Sequence, residues 1–248
     1  MQIIGIIPAR YASTRFPGKP LADIQGKPMI QRVYEQSKKS NFLSEVYVAT
    51  DDERIVEVVS RFAGNVLMTA STHPSGTDRC NEVAEKLVSS GKQIDVVVNI
   101  QGDEPYIQPE QIDLVCSCFV NPDIGIATLV KKIETHQELF ENAINKVVVD
   151  KFNNAIYFSR TPIPFLRNKN KEEWHYSHTY FKHIGLYAYR TNILREITHL
   201  SPSLLEQAES LEQLRWIENG YKIHIEKTQI ESFSVDTPED ISKFTNKS

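Results

Sequence analysis

Short apolar runs alternate with amphipathic stretches along the first two thirds of this 248-residue chain, the pattern of βαβ units feeding a mostly parallel sheet. Residues 2–7 form a near-continuous apolar run, as a strand buried on both faces requires. A loop rich in Arg, Ser, Thr, Pro and Gly follows over residues 8–20. Pro28 suits the first turn of a helix whose apolar face carries Met29, Ile30, Val33 and Tyr34. Residues 45–50 read as the second strand. Asp51 or Asp52 caps the next helix, with Ile55, Val56, Val59 and Phe62 turned inward. Residues 66–68 are a short strand, Thr77 starts a helix through Val83, Leu87 and Val88, and residues 95–100 are the clearest central strand.

After Pro109 the spacing predicts a helix to about Val120, then a strand over 124–130. Beyond His136 the texture changes: residues 147–150, a turn at Asn153-Asn154 and residues 155–159 read as a hairpin. Residues 183–189 alternate like a strand. Leu204, Leu205, Ala208, Leu211, Leu214 and Ile217 carry the spacing of one helix over 204–219, stopped by Gly220. Residues 222–226 and 233–235 read as short strands, and Thr237-Pro238-Glu239-Asp240 as a capped helix start. The expectation is one α/β domain over residues 1–248 with an inserted hairpin region.

Composition narrows the function. Lys and Arg number 28 against 32 Asp and Glu, a net charge of −4, so no general basic field exists for nucleic acid, although a local patch can hold a phosphate. The start lacks a basic n-region and a signal-peptide pattern, and no apolar run approaches the roughly 20 residues that cross a bilayer. Cys80, Cys116 and Cys118 have no zinc spacing and read as packing residues in a reducing cytoplasm. His175, His178 and His183 lack the support of a metal cluster.

The loop after the first strand holds the densest chemistry. Arg10, Arg15 and Lys19 fall within ten positions, where open α/β sheets collect ligands beyond the carboxyl ends of their strands. Three cations there call for a polyanion, and backbone amides near Ser13 and Thr14 would add donors. The glycine patterns of dinucleotide-binding and P-loop proteins are absent. Asp103 and Asp236 each follow a predicted strand. Two carboxylates so placed suit Mg²⁺ on a triphosphate, but alone each also reads as a turn acid or a helix-start residue. Adjacency turns the Glu104 side chain away from that of Asp103. Ser75-Gly76-Thr77 by itself is only a loop and a cap. His183 and Tyr187, four apart in one strand, point to the same face.

The segment PARYASTRFPGKPL (residues 8–21) with GKPMI (26–30) resembles the signature loop of sugar-activating nucleotidyltransferases, and is most similar to the 3-deoxy-manno-octulosonate (KDO) cytidylyltransferases. Matching blocks continue in that family's order: ATDDERI (49–55), SGTDR (75–79), NIQGDEP (99–105), YFSR.PIP (157–164), HIGLYAYR (183–190), LEQLR (211–215) and VDTPED (235–240). The resemblance implies a three-layer αβα fold with a mainly parallel sheet and a hairpin extension over about 136–189. It implies CTP and KDO as substrates, Mg²⁺ as cofactor and CMP-KDO for lipopolysaccharide biosynthesis as product. By the same resemblance Asp103 and Asp236 would bind the metal, and Arg10, Arg15 and Lys19 the phosphates. Pro8, Ala9, Ser75, Arg79 and Gln101 would read cytosine, and Arg160, His183, Tyr187, Glu212 and Gln213 would hold the sugar acid. A homodimer built through the extension is also implied. A related sugar acid (an 8-amino analogue of KDO, or a sialic acid) and a nucleotide-binding regulatory module remain alternatives. The absence of an Asp-x-Asp pair after a central strand speaks against a glycosyltransferase.

Overall fold

The buried apolar runs of the sequence become a nine-stranded sheet at the centre of the molecule. The computed structural model describes residues 1–12 and 16–245. In chain order the strands are β1 (Ile3–Ala9), β2 (Asp23–Ile24), β3 (Lys27–Pro28), β4 (Glu45–Thr50), β5 (Asn65–Met68), β6 (Val96–Asn99), β7 (Ile126–Lys132), β8 (Lys146–Val149), β9 (Ala155–Ser159), β10 (Phe181–Arg190) and β11 (Ile223–Lys227). The helices are α1 (Met29–Ser37), α2 (Glu53–Arg61), α3 (Gly76–Ser89), α4 (Pro109–Ser117), α5 (His136–Phe140), α6 (Trp174–Ser177), α7 (Thr191–Thr198), α8 (Leu204–Glu209), α9 (Gln213–Glu218) and α10 (Pro238–Thr245). None of the described helices is long and apolar enough to cross a membrane.

The sheet runs β11-β7-β10-β6-β1-β4-β5. β1 pairs in parallel with β4 and β6, β4 with β5, and β7 with β11, while β10 runs antiparallel to both β6 and β7. The expected mainly parallel three-layer αβα sheet is thus present. Alternation along β1 sends Ile3 and Ile7 to one face, against α1, α2 and α4, and Ile4 and Ile6 to the other, against α3, α7 and α9. The extension over about 136–189 is built around the hairpin β8–β9, which joins the sheet where β8 pairs with the start of β10.

Local chemistry explains the helix starts. Ser75 and Asp78 form a reciprocal capping box on α3, Asp52 caps α2, and Pro109 occupies the first turn of α4. Two expectations need correction. The single helix over 204–219 is two helices, α8 and α9, because Ser210 adopts a left-handed conformation (φ 52°) at the end of α8. The strand over 233–235 does not form. Val235 makes one ladder-like bond, its N–H donating to the Asp103 carbonyl at 2.9 Å, too little to define a strand.

Candidate active site

The two acids meet. Asp103 lies in the turn after β6 and Asp236 just ahead of α10, and the Lys19 ammonium sits between them, 2.7 Å from Asp103 Oδ2 and 3.6 Å from Asp236 Oδ1. Those contacts keep the two carboxylates within about 6 Å of each other, a span that one or two metal ions can bridge. Lys19 also donates to the Val235 carbonyl at 2.8 Å, so a short 3₁₀ turn at Lys19–Leu21 pins the chain before α10 against the loop after β6. The donor set fits Mg²⁺: two hard carboxylates that already share a positive charge and face one cavity.

That cavity measures about 400 Å³ and is lined by Gln101, Asp103, Asn145, His183, Gly185 and Asp236, among others. Glu104 lines it too, contrary to the expectation that its side chain turns away. The turn closed by the Glu104 N–H on the Gln101 carbonyl folds both neighbouring acids toward one space. Burial, and then the charge of Asp103, raise the Glu104 carboxyl to about 7, with a bond from Ser232 opposing them.

One wall of the cavity rests on a break in β10. Its pairing with β7 slips between Ile184 and Tyr187, where Gln101 donates to the Gly185 carbonyl at 2.9 Å. Thr128 of β7, wholly buried, fills the slip. Its Oγ1 lies 2.7 Å from the Leu186 carbonyl, 3.2 Å from that of Ile184 and 3.0 Å from His183 Nε2. Carbonyls only accept, so the hydroxyl proton goes to one of them and His183 Nε2 carries the hydrogen that Thr128 accepts. Burial holds the imidazole at about 3, hence neutral, and Nδ1 is left as an acceptor. The His183 and Tyr187 rings are 5.0 Å apart, as their shared face predicts. Tyr187 Oη and Asn145 Oδ1 are buried with no hydrogen-bond partner among the described residues.

Glu212 crosses from α9 to the start of α3, its oxygens 2.8 Å from the hydroxyls of Ser75 and Thr77. Burial raises its carboxyl above the usual range, and those two hydroxyls pull it back. Gln213 is buried beside it. At the end of β1, Pro8 is hemmed by two glycines: a Cβ on Gly102 would stand 2.7 Å from the Pro8 carbonyl oxygen, and one on Gly76 3.3 Å from its ring. Pro8 is therefore approached closely from both neighbouring loops. Arg10 donates to the His73 carbonyl, tying this loop to the one before α3. Arg15, with Ser13 and Thr14, lies outside the described residues.

Of the expected site residues, Gln101, Asp103, His183 and Asp236 line this cavity, while Pro8, Ala9, Arg10, Lys19, Ser75, Arg79, Arg160, Tyr187, Glu212 and Gln213 lie outside its wall. Arg79 is fully buried against Thr69 and Asp51, with Nη2 3.1 Å from the Asp51 carboxylate. Arg160 directs its guanidinium to the carbonyls of Glu209 (2.6 Å), Ser210 (3.2 Å) and Asn142 (3.5 Å). Beneath it lies a residue that the sequence reading missed. Lys146 is completely buried, and its ammonium donates to the carbonyls of Glu141 (2.6 Å), Ile144 (2.8 Å) and Arg160 (3.0 Å). All three N–H groups are used, so one side chain holds the cavity-lining loop at 143–145 and the Arg160 backbone together. Thr128 was missed as well. A lysine opening an apolar run was the only available signal for the first, and nothing marked the second.

The family model described as Cytidylyltransferase matches residues 4–225. The chain belongs to the cytidylyltransferase family. It is 57% identical over 247 residues to a 3-deoxy-manno-octulosonate cytidylyltransferase of Parabacteroides distasonis, covering 98% of this chain and 96% of that protein. With the protein of the same name from Phocaeicola vulgatus it shares 58% over 246 residues, again 98% and 96%. A solved CMP:2-keto-3-deoxy-manno-octonic acid synthetase complexed with CTP superposes with a TM-score of 0.89 at 42% identity, covering 98% of this chain and 96% of that one. Membership in this family accords with a cavity at the carboxyl end of β6, where open α/β sheets collect their ligands.

Proposed function

We propose that this protein transfers the cytidylyl group of CTP to 3-deoxy-D-manno-octulosonate, giving CMP-KDO and pyrophosphate, a step toward lipopolysaccharide. The observation that carries the reading is the pair Asp103 and Asp236, drawn together from distant segments by Lys19 beside a polar cavity. Relatives at 57–58% identity that bear this activity's name support it. In the reaction the anomeric oxygen of the sugar forms a bond to the α-phosphorus of CTP. The α–β phosphoanhydride bond breaks on the opposite side, pyrophosphate leaves, and the hydroxyl proton passes to solvent. Asp103 and Asp236 would hold Mg²⁺, which when bound supplies charge to the triphosphate and acidifies the attacking hydroxyl.

The protein's own groups position the reactants. Lys19 and Arg10 set positive charge along the path of the triphosphate, in the arrangement that favours pyrophosphate departure; Arg15 is assigned the same role. The close-packed backbone at Pro8 and Ala9, with Ser75, would form the narrow cytosine slot, with Arg79 and Gln101 supporting its walls. On the sugar side, His183 Nδ1 and Asn145 Oδ1 would accept from sugar hydroxyls, and Tyr187, Glu212 and Gln213 would add polar groups behind that wall. Arg160 has five N–H groups, of which three are directed to carbonyls, leaving two for the sugar carboxylate. The protein would act as a cytoplasmic homodimer. Support for dimerisation comes from the exposed Phe152, Ile156, Phe165 and Tyr176, all in the extension.

The test is pyrophosphate release from CTP with KDO and Mg²⁺, run beside UTP and ATP and beside the 8-amino analogue and a sialic acid. The expected result is CTP- and KDO-dependent turnover that falls by several orders of magnitude in a folded Asp103→Asn variant. Equal or greater turnover with another sugar acid would overturn the substrate, and near-normal activity of the variant would overturn the role of the acids.

A further inference from the structure

Away from the cavity, the described residues include one group of three metal-ligating side chains: Cys118, His224 and Glu226, each with a ligand atom within 4.8 Å of the others. We propose that these three residues form a binding site for a divalent transition-metal ion of the zinc class, separate from the catalytic acids.

His224 and Glu226 are two apart on β11, so both leave the same face of the sheet, while Ile223 and Ile225 pack into the core on the other face. Cys118 opens the 3₁₀ turn Cys118–Val120 after α4, on the side those two residues face, and its thiol donates to the Leu114 carbonyl at 3.6 Å. The His224 Nε2 to Glu226 Oε1 distance is 3.5 Å. Two donors about 2.1 Å from one tetrahedral ion stand about 3.4 Å apart, so the pair already has the spacing of shared ligands. The thiol needs to close by only about 1 Å to join them.

The donor set decides the class of ion. Thiolate, imidazole and carboxylate together select zinc or its neighbours, whereas the all-oxygen pair Asp103 and Asp236 suits a hard ion. Binding converts the Cys118 thiol to a thiolate: the S–H proton goes to solvent as the sulfur–metal bond forms, with no change of oxidation state. Rigid backbone holds the ligands. β11 pairs with β7 along one edge, and on the other edge Asn154 bridges His224 while the Ile225 N–H donates to the Asn153 carbonyl at 2.7 Å. A cavity of about 250 Å³ lined by Asn121, Asp123, Asn154 and His224, among others, meets the group at His224. An ion there would clip the edge strand β11 to the end of α4.

Cobalt(II) is the probe. Titrating it into the metal-free full-length protein should produce one equivalent's worth of intense thiolate-to-cobalt charge-transfer absorption. Cobalt on the carboxylate pair gives no such band, because no sulfur is present there. The band should vanish in Cys118→Ser, persist in Cys116→Ser, and require at least tenfold more cobalt in His224→Gln. Should Cys118→Ser fail to fold, His224→Gln, whose side chain lies at the edge of the cavity, carries the same test. No band in the natural protein, or a titration unchanged by Cys118→Ser or His224→Gln, overturns the proposal.

Discussion

Replacing Thr128 with valine keeps the shape of a fully buried side chain and removes one hydroxyl, which isolates the role of that group. Two partners lose their match: the Leu186 carbonyl, 2.7 Å away, and the N–H on His183 Nε2, 3.0 Å away. A buried polar group left unpaired costs about 1–3 kcal/mol, so with two such groups Thr128→Val should destabilise the fold by roughly 2–6 kcal/mol. For a chain of this length, at about 3 °C per kcal/mol, that corresponds to a fall in Tm of about 6–18 °C. Function should change selectively. Without its anchor the His183 ring no longer holds Nδ1 toward the sugar, and one hydrogen bond of about 1.4 kcal/mol is a tenfold rise in the apparent KM for the sugar acid. The KM for CTP should not move, because Thr128 anchors only the side proposed for the sugar. Thermal unfolding together with pyrophosphate-release kinetics, each substrate varied in turn, reads both effects. Thr128→Ser, which keeps the hydroxyl, should recover most of each. A valine variant that melts at the natural temperature and shows an unchanged sugar KM would refute the assignment of the hydroxyl as the anchor of His183.

Lys146→Met should leave three partly buried carbonyls without their charged donor, lower stability by about 3 kcal/mol and raise the sugar-acid KM while the CTP KM stays fixed; urea unfolding at natural stability would contradict this. Lys19→Ala should raise the apparent KM for CTP at fixed Mg²⁺, and an unchanged value would remove Lys19 from the phosphate path. Acid stability should report on His183. Burial holds its imidazole at about 3 against an ordinary 6.5, so between those values the unfolded chain binds a proton that the folded one refuses. Its contribution is therefore intact above pH 6.5 and is lost as the pH falls toward 3, at about 1.4 kcal/mol per unit. Urea melts of the natural protein and His183→Gln should show the variant with the shallower slope between pH 6 and 4, and equal slopes would dismiss the idea.

The sequence by itself determined the layers and most of the elements. β4 occupies the residues its apolar run marked, the β8–β9 hairpin turns at its paired asparagines, and α2 and α3 start at their capping residues, because burial period and capping are local properties. The family's blocks named the acids, but only the tertiary structure brought them together around Lys19. It also decided what local patterns cannot hold. The apolar spacing over 204–219 carries no sign of Ser210, whose left-handed turn presents two carbonyls to Arg160, 50 residues away. Lys146 opens an apolar run, and only the fold shows its ammonium closed in by two carbonyls of the turn at 141–144 and by that of Arg160 across the hairpin. Cys118 looks like packing until β11, 106 positions later for His224, sets an imidazole and a carboxylate beside it. For Ser210 and Cys118 the deciding partner comes from a segment remote in the chain, and for Lys146 from the turn just before it and the strand across the hairpin. Side-chain periodicity reports which face of an element is buried, and it says nothing of which polar group will be waiting there.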